Sequence, residues 1–213
     1  MINAYIESYL DDAMNHLGDM IEYSICNLGF SPDVIWGYFI SSGIASCFEK
    51  GNPKYIAGMS GFELAKTILD KVGVSYENVN PSYREQKGVE FWSGWILAYY
   101  QWLTGMRFED MAKDGLSLSN VFSLYILHEA DESKFVEAAN NIIERNKKDR
   151  QSKLATIRKV RGLTQSHLSY ISGVSLRMIQ LYEQRQNDIS KAQAVVVISL
   201  SKALGCDVED ILD

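Results

Sequence analysis

Between Leu154 and Leu212 apolar side chains recur at helical spacing, and the rhythm breaks at Gly162-Leu163-Thr164, at Gly173-Val174-Ser175 and at Gly205. The first two breaks each pair a glycine, which ends a helix, with a hydroxyl residue that caps the next one. The pattern predicts a first helix marked by Leu154, Ile157 and Val160 and a second capped by Thr164, with Leu168 and Ile171 facing inward. A third follows, capped by Ser175, with Ile179 and either Tyr182 or Met178 inward. Ala194, Val197, Ile198, Leu200 and Leu204 form a fourth, and Val208, Ile211 and Leu212 a last short turn. Helices this short do not persist alone in water, so five of them must share one small core. Gly173 stands where the chain has to turn sharply, which calls for a positive φ.

The residues before this module read as helices as well. From Asn3 to about Cys26 the apolar positions are Ile6, Leu10, Met14, Leu17, Ile21 and Ile25. Ser31-Pro32-Asp33 opens a second helix that should run to about Lys50 and end at Gly51 and Pro53, with Gly37 and Gly43 able to bend it or admit a close neighbour. Ser60 and Glu63 fit a capping box for a helix carrying Leu64, Ile68 and Leu69, and residues 74–88 read as a loop. Phe91 to Leu103 is apolar nearly all round, with Trp92, Trp95, Tyr99 and Trp102 on one face, as in a centrally buried helix. Short helices are expected at Met106–Lys113 and Val121–Leu127, and Asp131 should cap a longer one carrying Phe135, Ala138, Ile142 and Ile143. No strand alternation or internal repeat stands out. The expectation is all-α: an N-terminal helical bundle over 1–145, an apolar-free junction at 146–151 that can be a helix running on, and the five-helix module at 152–213.

Charge divides the chain at the same place. The whole carries −6, but residues 1–145 hold 10 Lys+Arg against 20 Asp+Glu, whereas residues 146–213 hold 11 against 7. The front part repels phosphate and the rear part attracts it. With 46% hydrophobic residues the chain can bury a real core. Cys26, Cys47 and Cys206 give neither a metal-ligand pair nor a disulfide framework, which suits a reducing cytoplasm. The first residues lack a signal-peptide pattern, and no apolar run reaches membrane-spanning length, so a cytoplasmic location without a membrane is expected.

Two short helices joined by a tight turn are the plan of a helix-turn-helix reader of DNA. Leu163-Thr164-Gln165, Leu168, Gly173-Val174-Ser175, Ile179, Glu183 and Ala203-Leu204-Gly205 resemble, at the right spacings, the phage-repressor or Cro-like helix-turn-helix family over roughly 152–213. The resemblance implies that the helix from Ser175 to about Gln184 enters the major groove and presents Ser175, Leu176, Arg177, Gln180 and Leu181. Arg177 can offer a bidentate fork to guanine, and Gln180 can meet a base edge or a phosphate. Gln165 and Lys191 stand where the family contacts backbone phosphate. Arg158 and Glu183 match a buried ion pair between the first and third helices. The implied partners are double-stranded DNA and a second copy of the chain, since paired half-sites mirror a dimer.

The sequence departs from that family at Arg185, where glycine is usual, so an arginine must avoid or tolerate an unusual backbone angle. Leu176 and Leu181 are apolar at reading positions; they can meet thymine methyls or pack against a protein partner. The Trp/Tyr stripe admits a ligand cage or a helical core, and the spacing favours the core. Glu90 and Gln101 are polar core groups or specificity points. His128 with Glu129 and Asp131, and His16 with Asp12 and Asp19, are sparse as metal-ligand sets. No nucleophile constellation or phosphate-cradling loop stands out, and neither an enzyme nor a cofactor is expected.

The stretch Glu90–Gly105 with Phe108 also resembles the front domain of a group of bacterial regulators that carry a C-terminal helix-turn-helix and belong to small, toxin–antitoxin-like cassettes. The expected function is a sequence-specific transcriptional regulator of a bacterial operon whose front domain binds a protein or a ligand. The alternative is an antitoxin that neutralises a partner through its acidic front domain and autoregulates through the helix-turn-helix.

Overall fold

The computed structural model describes residues 3–81, 87–149 and 151–212. Among them every regular element is helical. They group into two compact units, Met1–Ile143 and Glu144–Asp213.

In the first unit α1 is Leu10–Cys26, α2 Pro32–Ser41, α3 Ile44–Glu49, α4 Pro53–Ile56 and α5 Gly61–Val72. Then come α6 (Val89–Thr104), α7 (Phe108–Lys113), α8 (Leu118–Phe122) and α9 (Glu132–Asp149), the last running across the division between the units. Helices α1 and α6 form the centre, with α5 on another side of α1. They approach closely because Gly94 has no side chain: a Cβ there would sit 2.5 Å from the Leu17 carbonyl oxygen. Around this pair Ile96, Leu97, Ala98 and Tyr100 are buried along with Trp92 and Trp102, while Trp95 and Tyr99 of the aromatic stripe are half-buried, so the interior nearly surrounds α6 without covering the whole stripe. A second nucleus assembles Trp36, Phe39, Phe48 and Phe108 from α2, α3 and α7, with ring centroids 5.3–6.0 Å apart, mostly edge-to-face.

Several local expectations change. The expected helix Pro32–Lys50 is two helices, because Gly43 adopts φ +75 and ends the first of them. α1 starts at Leu10 after a 3₁₀ turn at Glu7–Tyr9, which leaves Ile6 65% exposed rather than in the core. The expected helix Val121–Leu127 is α8 followed by a 3₁₀ turn at Tyr125–Glu129. The Ser60–Glu63 capping box forms in both directions, and Asp131 accepts from Ser133 N–H at 2.9 Å as the cap of α9. The junction expected at 146–151 is, as a helix running on, helical as far as Asp149, where α9 ends; Arg150 lies outside the described residues.

The second unit contains α10 (Lys153–Val160), α11 (Gln165–Ser172), α12 (Leu176–Glu183), a 3₁₀ turn at Ile189–Lys191, α13 (Ala194–Leu204) and α14 (Val208–Ile211). Ser152, Thr164 and Ser175 accept at 3.1, 3.1 and 3.3 Å from backbone N–H groups three residues on; Thr164 and Ser175 are the expected caps, and Ser152 is a further one at the start of α10. α11 packs on α12 and α13, and α10 on α12 and α14. Leu154, Leu168, Val174, Ile179, Tyr182, Val197, Leu200, Leu204 and Ile211 make a small core, in which a fully buried aliphatic side chain contributes about 1.5–3 kcal/mol. Ile171 is not in it: it is 43% exposed, against the expectation from spacing. α11 buries a single row through Leu168, and the inner place one turn on goes to half-buried Ser172, whose hydroxyl donates to the Leu168 carbonyl at 2.6 Å. Val160 and Ile198, also counted from periodicity, are 80% and 43% exposed.

Candidate nucleic-acid interface

Helix α12 is divided lengthwise. Ile179 and Tyr182 point into the core at 0% and 4% exposure, while Met178 is half-buried. On the remaining surface Ser175, Leu176 and Arg177 are exposed, and Gln180 and Leu181 are half-buried. Leu176, Arg177, Gln180 and Leu181 are spaced i, i+1, i+4 and i+5, which makes one continuous stripe along a helix. The stripe combines a guanidinium, a carboxamide and two branched aliphatic groups. Such a set can donate to base edges and touch apolar groups. The Ser175 hydroxyl also accepts from Met178 N–H, so it serves as the cap at the start of the stripe.

The turn before α12 holds together by side-chain bonds to the backbone. Gly173 takes φ +70, the left-handed angle its position calls for. Ser169 Oγ donates to the Val174 carbonyl at 2.7 Å, and Ser172 Oγ accepts from Val174 N–H at 3.2 Å. After α12 the chain reverses through Arg185 at φ +54, the one non-glycine positive φ among the described residues. Arginine thus tolerates the angle, at a cost of about 1–2 kcal/mol for a side chain in this conformation.

At the C-terminal end of α12 lies a buried ionic latch. Arg158 Nε donates to Glu183 Oε1 at 2.5 Å and Nη2 to Oε2 at 2.8 Å, a bidentate fork, while Nη1 donates to the Leu163 carbonyl at 2.6 Å. The two side chains are 10% and 6% exposed. The hydrogen bond to Glu183 holds the Arg158 guanidinium above its ordinary pKa, so it stays charged. Gln165, the first residue of α11, donates from Nε2 to Glu183 Oε2 at 2.8 Å. The family resemblance pairs Arg158 with Glu183 but gives no sign of this third member, because a side-chain amide has no charge to be matched and its partner lies 18 positions away.

Lys191 is at the surface, 82% exposed, and pairs with Asp188 Oδ2 at 3.4 Å through an i, i+3 spacing. An exposed pair of this kind is worth about 0–1 kcal/mol, so Lys191 can leave it easily. The hydroxyl and backbone of Ser190 hold the Asp188 carboxyl below the ordinary aspartate range.

The other sequence candidates fall into structural roles. His16 Nδ1 lies 2.8 Å from the Ile56 carbonyl and joins α1 to α4. His128 stacks on Tyr125 with ring centroids 4.2 Å apart. Among the described residues no group of three or more His, Cys, Asp or Glu is placed to hold a metal ion, and no helix is long and apolar enough to cross a membrane. Gln101 is a polar core group at 1% exposure, its Nε2 donating to the Glu49 carbonyl at 3.4 Å. No family model matches the chain, and neither do curated proteins or solved structures.

Proposed function

We propose that this chain is a sequence-specific DNA-binding regulator of transcription of a bacterial operon. Its C-terminal unit is of the Cro-like helix-turn-helix kind, α12 is the helix that reads the major groove, and it acts as a homodimer. The observation that carries this reading is the outward stripe Leu176, Arg177, Gln180 and Leu181 on a helix whose opposite side is fixed by Ile179 and Tyr182 and whose last residue, Glu183, is held by Arg158. A reading helix needs long polar side chains free to reach base edges and a backbone that does not yield when they do. The basic balance of residues 146–213 supplies the phosphate attraction, with Gln165 and Lys191 beside the reading helix. The N-terminal helical bundle, acidic and without an evident catalytic constellation, binds a protein or ligand that modulates the DNA-binding unit.

The test is selection of bound sequences from random duplex DNA with the full chain, followed by a salt titration. Affinity for the selected site should fall steeply with salt, and Arg177→Ala should lose about 1–3 kcal/mol at one base position while keeping the others. Binding that is indifferent to both salt and Arg177 ends this reading. The −10 balance of residues 1–145 favours a basic partner for the front unit, as an antitoxin would need. Co-purification with the product of a neighbouring gene would point there.

A further inference from the structure

We propose that Gln165 is a positioning residue: its amide ties the start of α11 to the end of α12 through Glu183, and any phosphate contact made at that end of α11 takes its geometry from this bond. The inference rests on the reading of α12 as the DNA-contacting helix. Helices α11 and α12 are joined at one end by the Gly173-Val174-Ser175 turn. One junction leaves the angle between two rods adjustable. The Gln165–Glu183 bond connects their opposite ends at 2.8 Å, and two connections fix the angle. α10 holds the same carboxylate from a third direction, through Arg158 Nε and Nη2.

The energetics favour keeping the amide there. Glu183 is 6% exposed and Oε2 is shared by Arg158 and Gln165. Turning the Gln165 side chain wholly toward a phosphate would withdraw a donor from a carboxylate that water barely reaches, and hydrogen bonds to charged buried groups are the costly ones to lose. Gln165 itself is half-buried, unlike exposed Ser166 and His167 beside it.

The experiment is hydrogen exchange on the full chain without DNA, read on peptides from α11 and α12, for wild type, Gln165→Met and Gln165→Glu. Methionine keeps the volume and removes the donor; exchange in both helices should accelerate about tenfold. Glutamate places a second carboxylate against Glu183, among Arg158 and Lys159 of α10, with exposed His167 two residues on in the same helix. Repulsion between adjoining carboxylates raises the pKa of one of them, so that it takes up a proton as pH falls. The excess exchange of Gln165→Glu over wild type should therefore be large at pH 8 and shrink by pH 5, while Gln165→Met shows no such trend. Wild-type exchange in both variants, with weakened binding to the selected duplex, makes Gln165 a plain phosphate ligand and overturns the proposal. Accelerated exchange in a protein that binds no duplex supports the bond's hold on the helix angle and removes the regulator reading instead.

Discussion

Helices α6 and α12 handle their side chains in opposite ways. Over sixteen residues α6 buries Trp92, Ser93, Gly94, Ile96, Leu97, Ala98, Tyr100, Gln101 and Trp102, on nearly all sides. α12, half as long, buries only Ile179 and Tyr182 and leaves Arg177, Gln180 and two leucines toward solvent. In α6 folding consumes the chemistry of the aromatic groups, so a conspicuous cluster of tryptophans marks a core. In α12 the groups with chemistry are those that folding does not need. A candidate site is better sought among long polar side chains on a helix held rigidly from behind than among the most unusual residues.

The contrast can be broken by perturbing each unit and watching the other. All four tryptophans, Trp36, Trp92, Trp95 and Trp102, belong to the first unit, so their fluorescence reports on it alone. The largest effect is expected from Glu183→Ala. It leaves Arg158 charged and 8% exposed without its partner, which should destabilise the second unit by about 3–5 kcal/mol. Amide exchange over 152–212 should show that loss while the fluorescence midpoint in urea stays put; a midpoint that moves equally means the units unfold as one. Gly94→Ala should act in reverse, at about 1–3 kcal/mol, because the added methyl meets the Leu17 carbonyl. The fluorescence midpoint should fall and exchange in α10–α14 should not change. An unmoved midpoint would show that α1 and α6 can part without cost.

The smallest effect sharpens the comparison through pH. Glu49 Oε1 accepts from Phe108 N–H at 2.6 Å, and burial pushes its carboxyl above the ordinary glutamate range in spite of that bond. The folded state therefore binds this proton more tightly than the unfolded one. The charged form costs stability at neutral pH, and the cost disappears as pH falls through the folded value toward 4.5. Glu49→Gln keeps an acceptor for Phe108 and should be slightly more stable than wild type at pH 7, with equality below about pH 4.5, measured again by tryptophan fluorescence. A difference that grows on acidification would refute this account.

Much of the second unit was legible in residue order because its determinants are local. Thr164 and Ser175 cap three positions ahead, Gly173 supplies a left-handed turn, and Leu168, Ile179 and Leu204 keep helical period. Periodicity failed where a helix is too short to need its whole apolar row, as at Ile171, or where a single glycine outweighed the pattern, as at Gly43. The aromatic nucleus of Trp36, Phe39, Phe48 and Phe108 could not be read at all, since its members lie up to 72 positions apart. The same holds for Glu49 as the partner of Phe108 N–H and for Asp33 as the partner of Ser119 N–H.

By itself the order of residues determined that the chain is helical, where most helices begin and end, and that its charge is split between front and rear. Those properties depend on contacts within a turn or two of helix, or on sums over composition. Only the tertiary structure decided that Trp92 and Trp102 go inside while Trp95 and Tyr99 stay half-buried, that Ile171 faces solvent and that Gln165 completes the latch on Glu183. Which face of a helix is covered, and which donor reaches a buried carboxylate, depends on neighbours brought close by packing, and a linear pattern carries no distance between them.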